Sequence, residues 1–110
     1  MKNFVLTGEQ EFEPLVQNLA SRLMKCGWFM ATAESCTGGW IAKVCTDLAG
    51  SSAWFDRGFV TYSDKAKQEL LGVKRSTLKN DRAVSKATVI EMADGARNRA
   101  DRPHPLINKR

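Results

Sequence analysis

Apolar positions near the start of the chain recur at helical spacing. Phe12, Leu15, Val16, Leu19, Leu23 and Cys26 fall on one face of an amphipathic helix. Pro14 is admissible only in the first turn of that helix, and Gly27 is placed to end it. The pattern then changes. Trp28-Phe29-Met30-Ala31-Thr32 is a continuous apolar, β-tolerant run and predicts a buried strand. Helical spacing returns with Ile41, Val44, Cys45 and Leu48, which predicts a helix over residues 39–48. After a loop at Ala49-Gly50-Ser51-Ser52, Trp54-Phe55 and Gly58-Phe59-Val60-Thr61-Tyr62 predict strand. Asp56-Arg57 interrupts them, which leaves two strands or one bulged strand open. Ser63 or Asp64 caps a short helix through Leu71, with Gly72 behind it. Residues 77–80 are expected to form a turn of helix. Ser85 caps a last helix whose predicted inner face is Val89, Met92, Ala93 and Ala96. Helices alternating with β segments indicate an α/β fold, helices layered on a mixed sheet.

One junction in this pattern carries chemistry. Ala33-Glu34-Ser35-Cys36-Thr37-Gly38-Gly39 lies where the first strand runs into a helix. The two glycines keep side chains away from the backbone N–H groups of the turn. A hydroxyl there stands beside unpaired donors and the positive end of a helix dipole. Such a turn can attack a carbonyl or hold a phosphate. It can equally be a capped helix start with glycines for tightness, Glu34 serving as a cap or brace. Local sequence leaves these readings open.

Composition narrows the partners. Of 110 residues, 43% are hydrophobic and 26% charged, as in an ordinary soluble domain. No apolar run approaches the roughly 20 residues of a membrane span. Acidic residues stand where a signal peptide has its apolar stretch, so a cytoplasmic location is expected and no membrane partner. The net charge is +5, and the excess lies beyond Asp56. A basic half suits nucleic acid or an anionic small ligand, or is simply a solvated face. Without a helix of clustered Arg and Lys or an aromatic stacking platform, nucleic acid is the weaker choice.

Cysteine and histidine usage excludes further classes. Cys26, Cys36 and Cys45 contain no C-x-x-C pair and are odd in number, which argues against a zinc site or a disulfide framework. Cys26 and Cys45 lie on apolar helical faces and are expected to be small core residues. Cys36 is a secondary candidate nucleophile. The single histidine, His104, sits between Pro103 and Pro105 in a polar tail. No positioned imidazole is available for a Ser-His arrangement, so a Ser35 nucleophile needs a lysine, a tyrosine or a carboxylate as base.

Several ordered motifs together resemble the CinA C-terminal domain family. They are Thr32-Ala33-Glu34-Ser35-Cys36-Thr37-Gly38-Gly39, Asp47-Leu48-Ala49-Gly50-Ser51-Ser52-Ala53-Trp54-Phe55, Gly58-Phe59-Val60-Thr61-Tyr62-Ser63-Asp64-Lys65-Ala66-Lys67, Leu71-Gly72-Val73 and Ala83-Val84-Ser85. The resemblance covers about residues 10–100 and is similar in detail to the nicotinamide-nucleotide amidase branch. It implies an α/β fold, no metal or organic cofactor, and hydrolysis of nicotinamide mononucleotide to nicotinate mononucleotide and ammonia in pyridine nucleotide salvage. It implies Ser35 as nucleophile, with Tyr62 and Lys67 as its catalytic partners. Asp64 stands where family members often have Asn, which adds a negative charge.

The chemistry is coherent with that assignment. A carboxamide needs a nucleophile, a base and donors for the oxyanion. Ser35 supplies the first, and Thr37, Gly38 and Gly39 are the candidate substrate-binding residues through their N–H groups. A lysine acts as base only when neutral, and at an ordinary pKa of about 10.4 roughly one in a few thousand is neutral at pH 7. Tyr62 is expected to relay the proton or orient the lysine. Spacing alone does not choose between Lys65 and Lys67; the resemblance selects Lys67.

The resemblance stops after Ala100. Family members continue into another strand and a second glycine-rich loop, whereas this chain ends Asp-Arg-Pro-His-Pro-Leu-Ile-Asn-Lys-Arg. The expected organisation is therefore the amino-terminal portion of an amidase domain over 1–100 and a divergent tail over 101–110, a truncated copy or fragment. Expressed alone, such a chain is expected to aggregate easily and turn over little. The alternative function is a catalytically dead nucleotide-binding or interaction fragment of the same family. The expected partner is a small nucleotide substrate; a homo-oligomer stays open.

Overall fold

The computed structural model describes residues 8–100, with side chains from residue 11 onward. The tail over 101–110, His104 included, lies outside the described residues. The elements are α1 (Gly8–Cys26), β1 (Met30–Glu34), α2 (Trp40–Thr46), a 3-10 turn at Ser51–Ala53, β2 (Phe55–Val60), α3 (Asp64–Leu71), α4 (Arg75–Asp81) and α5 (Lys86–Ala100). The α/β class follows as expected. β1 and β2 run parallel and are joined through α2, the crossover that a parallel pair requires. Among the described residues the sheet has no antiparallel member, so the expected mixed sheet is a parallel pair here. No described helix is long and apolar enough to cross a membrane.

Two apolar layers sandwich this pair. On one face α1 and α2 pack with Val16, Ala20, Cys45 and Trp54 at the centre. On the other, α3, α4 and α5 bring together Leu71, Val73, Leu78, Met92 and Ala96. Trp54, 1% exposed, caps the 3-10 turn and lies outside the strand; its carbonyl accepts the Met30 N–H at 2.8 Å and so starts the ladder.

A bulge at Asp56 allocates the side chains of β2 between the layers. Met30 pairs with Phe55, but Ala31 pairs with Arg57, so the register skips Asp56. A one-residue slip sends every following side chain to the opposite face. Phe55 accordingly packs with the α1–α2 layer, whereas Phe59 packs with the α3–α5 layer. Of the two readings of the Asp56-Arg57 interruption, one bulged strand is the observed one.

Three other expectations change. Helix α1 starts at Gly8, so Pro14 stands inside it and not in its first turn, where the missing N–H leaves a gap in the ladder. Cys26 is exposed at the helix end, where Gly27 takes a left-handed φ of 70°; only Cys45 is a core thiol. The buried side of α5 is Thr88, Met92, Gly95, Ala96 and Ala100, while Val89 and Ala93 are exposed. The cause is close packing on α3. A Cβ at Gly95 would collide with the Leu71 carbonyl, so the face with the smallest residues turns inward. Val89 and Ala93 instead border an apolar groove of about 660 Å³ beside β1, which has Leu19 and Leu23 of α1 along it and Ser35-Cys36-Thr37 at its lip.

Candidate active site

The first strand delivers Ser35 to the edge of the structure. Its pairing with β2 ends at Glu34 opposite Val60, and the Glu34 carbonyl accepts the Thr61 N–H at 2.9 Å. The chain then turns tightly, with the Gly38 N–H donating to the Ser35 carbonyl at 3.0 Å. Gly38 and Gly39 both take left-handed φ values, 66° and 101°, which L side chains rarely adopt. A Cβ on Gly39 would also press to 3.2 Å on a methyl group of Val60. Both glycines are thus dictated by the backbone. Ser35 is half-buried behind them.

Gly39 has no side chain with which to cap α2, and the cap comes from a distance. The Glu34 carboxylate accepts the N–H groups of Ile41 and Ala42 at 2.7 and 2.9 Å, and the Thr37 hydroxyl at 2.7 Å. Burial alone would raise its pKa. The bonds from Thr37, Ile41 and Ala42 together outweigh burial and hold it below the usual carboxylate range. Thr32 acts in the same direction, although its buried Oγ1 completes no hydrogen bond of ordinary geometry. Cys45, facing this carboxylate from α2, has its thiol pushed up by burial and secondarily by the Glu34 charge.

Lys67 shares a hydrogen-bond acceptor with the serine. Ser63 caps α3, its hydroxyl accepting the Ala66 N–H at 3.0 Å, and Asp64 follows in the first turn, where a negative charge suits the helix dipole. Lys67 and Leu71, a turn apart, form the buried side of α3 at 2% and 1% exposed. Lys67 Nζ donates to the Tyr62 carbonyl at 2.9 Å, and Ser35 Oγ donates to the same oxygen at 3.4 Å. No ion pair engages Lys67 among the described residues. Lys65 points to solvent and lies 3.8 Å from Glu69, a surface pair of little energetic weight.

The residues picked out in the sequence therefore assemble unevenly. Ser35 and Lys67 converge. Tyr62 lies between them, but through its backbone carbonyl; the residue is 75% exposed and its phenol carries no hydrogen bond within the described residues. Thr37 uses its hydroxyl on Glu34, and the Gly38 N–H closes the turn, so the Thr37 and Gly39 N–H groups are the ones left for a ligand. Cys36 is exposed beside Ser35. Lys43 pairs with Asp47, and Arg57 with Asp56 and the Arg99 carbonyl. Sequence reasoning undervalued Glu34. Its signal was the strand's period of two, which puts Glu34 in phase with buried Thr32. Among the described residues no cluster of His, Cys, Asp and Glu could hold a metal ion.

Sequence and fold both match known proteins. Residues 12–103 match the model of the CinA C-terminal domain. The chain is 53% identical over 88 residues to the nicotinamide-nucleotide amidohydrolase PncC of Escherichia coli K12, covering 80% of this chain and 53% of that protein. It is 58% identical over 87 residues to the PncC of Enterobacter agglomerans, covering 79% and 53%. The crystal structure of a CinA superfamily protein from Escherichia coli superposes with a TM-score of 0.81 at 37% identity, covering 91% of this chain and 58% of that one. The chain thus spans about half the length of the curated relatives it matches.

Proposed function

The chain belongs to the CinA C-terminal domain family, and from that membership and the site we propose that it is an amidohydrolase of nicotinamide mononucleotide. The names of its relatives support the substrate class. The observation that carries the mechanism is the convergence of Ser35 Oγ and Lys67 Nζ on the Tyr62 carbonyl. In this reading Lys67, as the neutral amine, takes the Ser35 proton while Oγ attacks the carboxamide carbon. The resulting oxyanion faces the free N–H groups of the Thr37–Gly39 turn. Lys67 returns the proton to the leaving nitrogen, which departs as ammonia and leaves an acyl ester on Ser35. Water, deprotonated by the same amine, attacks that ester, releases nicotinate mononucleotide and restores the serine. The reaction would serve pyridine nucleotide salvage in the cytoplasm.

The experiment is ammonia release from nicotinamide mononucleotide by the protein and by Ser35→Ala. The expected result is a low turnover by the chain as given, lost altogether in the variant while its fold is retained. Near-normal release by a folded Ser35→Ala protein would move the nucleophile to Cys36. No release by the unaltered protein would favour a nucleotide-binding form without catalysis.

A further inference from the structure

Glu34 takes no part in the chemistry set out above, yet it is 3% exposed and its bonds reach three segments of the chain. Its side chain accepts from Thr37 in the loop and from Ile41 and Ala42 in α2, while its carbonyl accepts from Thr61 beyond β2. A cap at the usual position, residue 39, would stabilise α2 alone. A cap from Glu34 does more. It ties the start of α2 to the end of β1, so both ends of the loop at residues 35–39 are fixed to one carboxylate.

The geometry points to Glu34 as a positioning residue for Ser35. Its ionised carboxylate holds the loop closed and so keeps the Ser35 hydroxyl aimed at the Tyr62 carbonyl beside Lys67. Its catalytic consequence rests on the amidase reading; the coupling of Glu34 to Ser35 stands on the hydrogen bonds alone. The other titratable groups around it are Cys45 of α2, Cys36 of the loop and, across the Tyr62 carbonyl, Lys67 of α3. Asp56 lines the same groove and Asp64 opens α3 beyond Tyr62, so the loss of the titration in Glu34→Gln is what assigns it to Glu34.

The test has two arms. Amide resonances of the full chain are followed by NMR between about pH 3 and 7. Ile41, Ala42 and Ser35 are expected to shift together, with one midpoint below the ordinary carboxylate pKa of about 4.3, and Glu34→Gln should abolish the shared shift. A Ser35 resonance that ignores pH while Ile41 and Ala42 respond would overturn the proposal, since Glu34 would then cap the helix without setting the serine. In the second arm, Glu34→Gln is expected to lower kcat at least about tenfold with KM within about twofold. A raised KM at unchanged kcat would overturn it as well. Should the unaltered protein release no ammonia, the amidase reading fails and the first arm alone decides. Should Glu34→Gln not fold, the titration of the unaltered protein still decides.

Discussion

Ser35 and Lys67 meet at one backbone oxygen. The Tyr62 carbonyl accepts from Lys67 Nζ at 2.9 Å and from Ser35 Oγ at 3.4 Å, so the two side chains lie within the sum of those distances of each other. The short segment between β2 and α3 thus registers a strand-end hydroxyl against a helix-borne amine. The longer of the two bonds is loose by ordinary standards, as catalytic contacts often are before substrate tightens them.

Lys67 sits in a place that stability alone would not choose. A buried amine with one carbonyl partner recovers only part of its desolvation cost. Lys67→Met is therefore expected to melt at or above the temperature of the unaltered protein while losing ammonia release. Lys67→Arg should be nearly as inactive as Lys67→Ala, because a guanidinium keeps its proton. Lys65→Ala should change neither property, since Lys65 is solvated. Full activity in Lys67→Arg would make the residue a fixed positive charge and not a base.

Tyr62 offers a sharper discrimination. Its carbonyl survives any substitution, and its phenol is exposed. Tyr62→Phe should leave stability within about 0.5 kcal/mol and lower turnover less than about tenfold. A loss of several orders of magnitude, with the fold intact by circular dichroism, would restore the phenol as a proton relay.

Close backbone approach makes Gly95 the most sensitive small residue of α5. A methyl group there meets the Leu71 carbonyl, which is backbone and cannot swing aside. Gly95→Ala should destabilise by about 1–3 kcal/mol or more despite the better helix propensity of alanine. Unfolding in urea measures it, and an unchanged midpoint would mean that α3 and α5 can separate at little cost.

Acid should loosen the protein through two carboxylates. Glu91 accepts the Lys74 N–H at 2.9 Å and the Thr77 hydroxyl at 2.7 Å; these bonds lower its pKa, as the loop and helix bonds lower that of Glu34. A carboxylate with a depressed folded pKa contributes stability that is present above its unfolded value, about 4.3, and lost as pH falls through the folded one. The melting temperature should therefore drop below about pH 4, less steeply in Glu91→Gln. An identical acid slope in the variant would show that the α4–α5 contact does not depend on the charge.

Local pattern alone determined much of this protein. Apolar spacing located the helices, glycines marked their ends, and the Ser35 turn stood out because a hydroxyl, a strand end and two glycines coincide within a few residues. Those features are set by steric rules that act over one or two turns of chain. The resemblance then selected Lys67, which spacing did not. Tertiary structure decided the remainder. The side of α5 that turns inward depends on Leu71 lying opposite Gly95. The split of Phe55 and Phe59 between the layers depends on the register of β2 against β1. The meeting of Ser35 and Lys67 at the Tyr62 carbonyl, and the bonds from Glu34 to the start of α2, depend on where the chain returns after the crossover. Residue types carry propensities, but a hydrogen bond or a close contact is fixed by the distance between elements, and that distance exists only once the layers have packed.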